Sequence, residues 1–235
     1  MQWIQETEWM AIGLSLLMGL SAAVMALGPG VALAWLLSRR SFRGKSLLET
    51  IIFLPLVIPP VVTGYALLLL FGVHSPAGRL LEALGIRLIF TWGGMAVAAA
   101  VMGFPLLVRT ARHAIENVDP QLEQVARTMG CSPLRAFFTV TLPLAWPGIA
   151  AGLVLCFARA LGEFGATAMI SAGTAGNRTI ALEIFRHYQT PGHDLEVLRL
   201  VLISIGLSAL ALIISERLTN RSGAARYRIE RGRRG

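Results

Sequence analysis

The chain has 235 residues, of which 55% are hydrophobic and 14% are charged. Soluble domains carry about 25% charged residues, so this composition excludes an ordinary soluble globular protein. The formal net charge of +8 does not indicate nucleic-acid binding, because the basic residues cluster beside apolar runs, where they act as orientation signals and attract anionic lipid headgroups.

Five long runs without a charged residue predict five membrane-spanning helices, since a helix needs roughly 20 apolar residues to cross the hydrocarbon core. The first run is too long, and its flank too acidic, for a cleavable signal peptide. The predicted fold class is an all-α integral membrane protein. It forms one transmembrane domain over residues 1–235, with spans at about 9–37, 48–72, 88–110, 146–170 and 196–216.

Lysine and arginine are unevenly divided between the loops. Segments 38–46, 109–135 and 217–235 carry four, four and seven of them, whereas segments 1–8, 74–87 and 172–199 carry none, two and three. Basic loops stay on the cytoplasmic side of a membrane. The sequence therefore predicts an external N-terminus and a basic cytoplasmic tail, which an odd number of spans satisfies.

Two of the predicted spans contain helix-breaking residues. The first carries Gly28-Pro29-Gly30, which predicts a kinked or divided helix. The second contains LPLVIPPVVTGY, in which Pro55, Pro59 and Pro60 remove backbone donors and bend the helix. Broken helices near the membrane midplane are typical of transport paths, and an ordinary packing kink is the alternative.

The loop 113–145, between the third and fourth spans, has the pattern of a soluble helix–turn–helix. Asp119-Pro120 is a typical helix start, and Gly130 suits a C-terminal cap. Ser132-Pro133 starts a second short helix that Leu142-Pro143 ends before the next span. Apolar residues of the first helix recur at spacings of three and four, which makes one face, formed by Leu122, Val125, Ala126 and Met129. That face either docks into a partner or packs under the bundle.

This loop resembles the signature loop of ABC importer permeases, which runs Glu-Ala-Ala, three residues, Gly, nine residues, Ile, one residue, Leu-Pro. The chain departs from that pattern at Gln124, Val125 and Val140, and Glu123 stands one residue before the first slot. The resemblance assigns coupling to an ATPase to Glu123, Gln124, Val125, Ala126, Gly130, Val140, Leu142 and Pro143. Whether Glu123 or Gln124 meets the partner is open at this point.

Three further stretches, LPLVIPPVVTGY, FPLLVRTARHAIENVD and FARALGEFGAT, resemble molybdate and sulfate permeases. The total length is more similar to the molybdate branch. The resemblance therefore implies import of molybdate, with tungstate as a second candidate substrate and a sulfate or thiosulfate importer as the alternative.

In that family the signature loop is the coupling helix, which lies in a groove of a separate ATP-binding subunit and transmits its closure to the membrane helices. This chain contains no GxxxxGK[ST] phosphate-binding loop, so we expect ATP on the partner and no cofactor on this chain. The resemblance also implies a non-catalytic subunit in the cytoplasmic membrane of a prokaryote. Its implied partners are a second permease copy, two ATP-binding subunits, an external molybdate-binding protein and membrane lipid, with no nucleic acid.

We expect the translocation path or its gate in the second and fourth spans, at Pro59, Pro60, Thr63, Arg159, Glu163 and Thr167. Ionisable residues at membrane depth face the bundle interior or water, and Arg159 and Glu163, four residues apart, share a helix face. Either Arg159 helps to pass the dianion, or the two residues form an internal salt bridge. The second interpretation is favoured, because a glutamate beside a dianion is repulsive.

A membrane-embedded enzyme and a passive channel are the other functional classes. The four histidines are scattered over loops, so no metal site is expected, and the two cysteines form no disulfide pattern. The absence of a nucleophile–base arrangement disfavours an enzyme. The loop suited to a partner's groove disfavours a self-sufficient channel.

Overall fold

The computed structural model describes residues 5–171 and 177–232, with side chains in the last helix described as far as residue 219. The predicted segments 1–8, 172–199 and 217–235 therefore lie partly outside the described residues. Every described element is helical, which confirms the all-α fold class. In chain order they are α1 (Glu6–Arg39), α2 (Lys45–Phe53), α3 (Pro60–Phe71), α4 (Pro76–Ala83), α5 (Trp92–Glu116), α6 (Pro120–Thr128), α7 (Pro133–Ala136), α8 (Leu142–Leu161), α9 (Gly165–Ile170), α10 (Ile180–Tyr188) and α11 (Asp194–Gly232).

Four described helices are long and apolar enough to cross a membrane: α1, α5, the stretch Pro133–Leu161 and the Asp194–Thr219 part of α11. The bent pair Lys45–Leu56 and Pro60–Phe71 supplies a fifth span if it crosses as one unit. This confirms the prediction of about five spans. We name the two ends of the bundle after residues of α1: the Arg39 end, which includes residues 117–132, and the Glu8 end, which includes residues 72–91 and 177–193.

The first span is one continuous helix, which excludes division at Gly28-Pro29-Gly30, one of the two alternatives that the sequence left open. Pro29 removes one backbone donor, but α1 packs along its length against α5 and α8. Gly30 permits this packing, because a Cβ there would lie 2.8 Å from Cδ2 of Leu107. Tertiary contact therefore keeps the helix whole across its proline.

The second span breaks at its prolines, as predicted. A 3-10 turn over Leu54–Leu56 follows α2, and the two halves of the span meet at 112°. Pro59 lies in extended backbone as the N-cap of α3, and Pro60 takes the first helical position, where a proline's missing N–H has no intrahelical partner to lose. Pro59 and Pro60 therefore separate two helices that run in different directions, and do not merely kink one helix.

The fourth span begins earlier than predicted, which corrects the expected loop 113–145. A π turn over Phe137–Thr141 joins α7 to α8 without a break, so Leu142-Pro143 does not end the second short helix. The backbone N–H of Leu142 donates to the oxygen of Phe137 five residues back. This widened turn accommodates Pro143, which has no N–H to donate. Helix α5 also extends to Glu116. Of the expected loop 113–145, therefore, only residues 117–132 lie outside the long helices.

The fourth span also ends earlier than its predicted limit at residue 170. Helix α8 ends at Leu161, and the short helix α9 begins at Gly165. The helical conformation is interrupted at the three residues between them, Gly162, Glu163 and Phe164. The expected single span 146–170 is therefore two helical pieces. Both the second and the fourth spans are therefore interrupted. Helix α3, the second half of the second span, packs on α9, the last piece of the fourth span.

Small residues set the distance between α5 and α8 at the centre of the bundle. A Cβ at Gly103 would lie 2.7 Å from the sulfur and 2.9 Å from the backbone oxygen of Cys156. A Cβ at Gly148 would lie 2.5 Å from Cβ of Ala114. Glycine and alanine allow such close backbone approach in membrane bundles, where helices associate by packing. Cys156 is buried and unpaired, and Cys131 is also a free thiol, as predicted.

We expect Gly103→Ala to destabilise the protein by about 1–3 kcal/mol, because the new methyl overlaps the backbone of α8, which cannot move aside cheaply. The measurement is the thermal unfolding midpoint of the detergent-purified protein. Gly13→Ala is the matched control, since a Cβ at Gly13 meets nothing within 4 Å. Alanine has the higher helix propensity, so the control should hold or raise the midpoint, and a fall of equal size in both variants would contradict the packing argument.

Candidate functional site

Helix α6 lies at the Arg39 end and turns its apolar face away from the bundle. Asp119 caps it, since its Oδ1 accepts the backbone N–H of Gln121 at 2.9 Å. The apolar side chains Leu122, Val125 and Met129 are exposed, the last by 82%. No residue of α6 is buried. This excludes, for the described chain, the alternative in which the face packs under the bundle, and it leaves an apolar stripe available to a partner.

The carboxylate of Glu123 points the opposite way, into the protein. Its Oε1 lies 3.5 Å from Nε of Arg39, and the hydroxyl of Thr141 donates a short hydrogen bond to it. The Glu123 side chain is only 19% exposed, whereas Gln124 is exposed. Glu123 therefore anchors α6, and Gln124 is the side chain that faces outward.

Gly130 ends α6 in a left-handed conformation with φ of +89°, which glycine adopts without strain. The remaining signature residues lie beyond this turn, in the helical stretch that starts at Pro133. Val140 belongs to the π turn, and Leu142 and Pro143 begin α8. The signature therefore covers both the exposed helix and its junction with the fourth span.

Arg39 was not singled out by the sequence beyond its contribution to a basic loop. Its Nη2 donates to the backbone oxygen of Val118 at 2.9 Å, and its Nε faces Glu123. These contacts fix Val118, two residues before α6, and the first turn of α6 to the end of α1. No spacing in the sequence indicated this contact, because the partners are 79 residues or more apart.

A second constellation lies where α3 crosses α9. A Cβ at Gly64 would lie 2.7 Å from Cα of Ala166, and one at Gly165 would lie 2.8 Å from Cβ of Pro60. The hydroxyl of Thr63, in the same turn of α3, is buried and makes no hydrogen bond within the described residues. The structure thus brings Pro60 against the start of α9, with Thr63 one residue before the close approach at Gly64.

Arg159 and Glu163 form the internal salt bridge that the sequence analysis favoured. Nη1 of Arg159 lies 2.6 Å from Oε2 of Glu163, which is 1% exposed. The other carboxylate oxygen accepts the backbone N–H of Ala166 at 2.8 Å. Thr167 donates to the backbone oxygens of Glu163 and Phe164. These contacts fasten α9 to the end of α8 across the break.

Charged residues of α10 form a third cluster, at the Glu8 end. Glu183 pairs with Arg186 at 2.6 Å and with Arg178 at 3.6 Å, and His187 lies beside it. Burial raises the pKa of Glu183, but its hydrogen bonds and opposite charges outweigh burial and hold that pKa below its ordinary value. The ring of His193 packs 4.9 Å from that of His187, a proximity that the sequence did not indicate. The ion pairs of Glu183 all lie within residues 178–187, and the described residues hold no group of three metal-ligating side chains.

Residues 30–223 match a protein family described as "binding-protein-dependent transport system inner membrane component". The chain is 48% identical over 215 residues to the molybdenum transport system permease protein ModB of Escherichia coli (strain K12), with 91% of this chain and 94% of that protein covered. It is 47% identical to ModB of Haemophilus influenzae over 216 residues, with the same coverage of 91% and 94%. It is 37% identical to the sulfate transport system permease protein CysW of Synechococcus elongatus, with 91% of this chain and 74% of that protein covered.

Solved structures agree in fold. A bacterial ABC transporter involved in alginate import superposes with a TM-score of 0.69 at 18% identity, over 94% of this chain and 80% of that one. The MetNI methionine ABC transporter superposes with a TM-score of 0.62 at 19% identity, over 92% of this chain and 94% of that one. At these identities the likeness shows a shared fold.

We expect Arg39→Met to weaken energy coupling while the chain still inserts and folds. Methionine keeps the apolar stem but removes both contacts that tie α6 to α1, leaving the Glu123 carboxylate to Thr141 alone. The measurement is the number of substrate ions taken up per ATP hydrolysed in vesicles, which should fall several-fold. Arg43→Met, an exposed change in the same basic loop, is the control and should leave the ratio unchanged. An unaltered ratio in Arg39→Met would show that these contacts do not position α6.

Proposed function

The chain belongs to the family of binding-protein-dependent transport system inner membrane components, and from that premise we propose that it is the permease subunit of an ATP-driven molybdate importer. It is a multi-pass protein of the bacterial inner membrane. The observation that carries the substrate assignment is the 48% identity to ModB of Escherichia coli over 91% of this chain. The corresponding identity to the sulfate permease CysW is 37%.

The Arg39 end is the cytoplasmic end in this proposal. The distribution of lysine and arginine supports it, because the basic segments 38–46 and 109–135 both lie there. The apolar stripe of α6 then faces the cytoplasm, where a soluble ATP-binding subunit would meet it. A stripe of exposed apolar residues at the tip of a polar loop marks a protein-binding surface.

The proposed assembly is a permease homodimer with two ATP-binding subunits and an external binding protein that delivers molybdate. ATP is bound and hydrolysed by the partner subunits. Their closure moves α6, and three connections carry that movement into the membrane: Glu123 to Arg39 on α1, Glu123 to Thr141, and the unbroken helix from Pro133 to Leu161. The fourth span therefore acts as a lever that starts beside the coupling helix.

The far end of this lever carries the candidate gate. Arg159 and Glu163 attach α9 to α8, and α9 packs on α3 through Gly64 and Gly165. A shift of α8 relative to the bundle changes the contact between α3 and α9. We assign Pro59 and Pro60 to the turn that lets α3 move, and Arg159, Glu163 and Thr167 to the positioning of α9.

Thr63 is the residue that we assign to contact with molybdate. Its hydroxyl lacks a partner in the described structure, so it is the polar group at this crossing that an oxyanion can satisfy. Arg159 is already neutralised by Glu163. A path that offers a hydroxyl and no unpaired cation binds a dianion weakly, which transport requires because a tightly bound ion is not released.

The docking role of α6 is tested by Met129→Asp, which places a charge on the most exposed part of the apolar stripe. We expect the ATP-binding subunit to be lost from the purified complex, because the partner's groove cannot pair that charge. Leu84→Asp is the matched control: Leu84 is 67% exposed, against 82% for Met129, and lies at the Glu8 end. Undiminished co-purification of the ATP-binding subunit with Met129→Asp would contradict docking through α6.

The substrate is tested by uptake of labelled molybdate into vesicles that contain the reconstituted complex and its binding protein. Tungstate has the same charge and tetrahedral shape, so we expect it to compete strongly. Sulfate, a smaller tetrahedral dianion, should compete at least tenfold less well, a difference of about 1.4 kcal/mol. Competition by sulfate equal to that by unlabelled molybdate would favour the sulfate importer as the second candidate function.

A further inference from the structure

An apolar groove runs along the outside of the bundle, between α1 and the helical stretch that begins at Pro133. Its volume is about 440 Å³. One wall is formed by α1 and the other by α7, the π turn and α8, with Leu27, Val31, Trp35, Leu134, Phe138 and Trp146 among the lining side chains. The groove therefore lies beside the junction between the coupling helix and the fourth span.

The groove is open and its dimensions suit a hydrocarbon chain. From residue 27 to residue 35 the α1 wall is about 12 Å long at 1.5 Å per residue, close to the roughly 15 Å depth of one leaflet. Leu134, Phe138 and Trp146 are exposed on the other wall. A Cβ at Gly28 meets nothing within 4 Å, which marks unfilled space along the α1 wall.

Two exposed arginines lie close in sequence to lining residues of the groove at its Arg39 end. Arg40 follows the last residue of α1, just over one helical turn beyond Trp35, and is exposed. Arg135 follows Leu134 on the other wall and is also exposed. Arg39 lies nearby, but its side chain is engaged by Val118 and Glu123. An apolar groove with exposed cationic residues beside it is complementary to an anionic lipid.

We propose that this groove seats an acyl chain of an anionic phospholipid of the cytoplasmic leaflet, with the lipid phosphate at Arg40 and Arg135. The assignment of the leaflet rests on the proposed orientation of the importer. A second protein copy fits the groove poorly, because a helix with its side chains is about 10 Å across. Tryptophan on both walls also suits the interfacial region of a bilayer.

The position of the groove gives the bound lipid a role in coupling. Trp35 of α1 packs edge-on against Phe137 at 5.8 Å, and Phe137 packs against Phe138 at 5.2 Å. A lipid acyl chain between these walls supports α1 against the π turn. That turn carries Thr141, the partner of Glu123. An anionic lipid in this place stiffens the lever at its start.

The test uses tryptophan fluorescence of the full permease complex in nanodiscs. The chain's other tryptophans (Trp3, Trp9 and Trp92) are replaced by phenylalanine, and tryptophans of the partner subunits are likewise replaced. Trp35 and Trp146 then report on the groove. Bromine on the acyl chains of phosphatidylglycerol or of phosphatidylcholine quenches a tryptophan that the chains touch. We expect half-maximal quenching at a several-fold lower fraction of brominated phosphatidylglycerol than of brominated phosphatidylcholine.

Two sets of variants locate the effect. Gly28→Leu fills the groove and should reduce quenching by either lipid, while Gly13→Leu, on the same helix and also in open space, should not. Arg40→Gln with Arg135→Gln should remove the preference for phosphatidylglycerol and leave quenching by phosphatidylcholine unchanged.

Equal quenching by the two lipids in the parent protein would overturn the anionic assignment. Quenching that Gly28→Leu does not alter, or absence of quenching because a protein covers the tryptophans, would overturn the groove as the lipid seat. None of these measurements requires transport. They can therefore fail while molybdate uptake stands, or succeed with a different substrate.

Discussion

The carboxylate of Glu123 lies where α6, the first span and the start of the fourth span meet. It faces Arg39 at the end of α1 and accepts a hydrogen bond from Thr141 in the π turn. A partly buried carboxylate must be paired or hydrogen-bonded to be tolerated. Since its partners come from both spans, α6 cannot shift without acting on α1 and α8, and the outward position of the apolar stripe follows from the same anchor.

A second buried carboxylate, that of Glu163, stabilises the opposite end of α8. A helix broken inside a bilayer leaves backbone donors that lipid cannot satisfy. At the break after Leu161, Glu163 accepts the N–H of Ala166, and Arg159 neutralises the charge. One carboxylate therefore anchors each end of the fourth span: Glu123 to the helix that meets the ATPase in our proposal, and Glu163 to the helix that packs on α3. The close approach at Gly64 and Gly165 then joins the two broken spans.

Much of the architecture followed from patterns that act locally. Charge-free runs of sufficient length predicted the helices that can span a membrane, and Pro59 and Pro60 marked the 112° break of the second span. The salt bridge between Arg159 and Glu163 followed from their spacing of four on one helix. The predictions that failed or were left open concern helix boundaries, which depend here on contacts between residues far apart in the sequence. α1 continues through Pro29 because α5 and α8 support it, and the fourth span starts at Pro133 because a π turn absorbs Pro143.

The sequence by itself determined that this is an all-helical membrane protein with a capped, amphipathic helix at Pro120–Thr128 between two spans. Helix length, hydrophobicity and capping are properties of neighbouring residues, so they can be seen without the fold. Only the tertiary structure decided which of two adjacent side chains is exposed: Glu123 is drawn inward by Arg39 and Thr141, and Gln124 is left outside. It also brought Pro60 against Gly165 and His187 against His193. The physical reason is that burial and pairing depend on residues far apart in the chain, whose meeting no local spacing records.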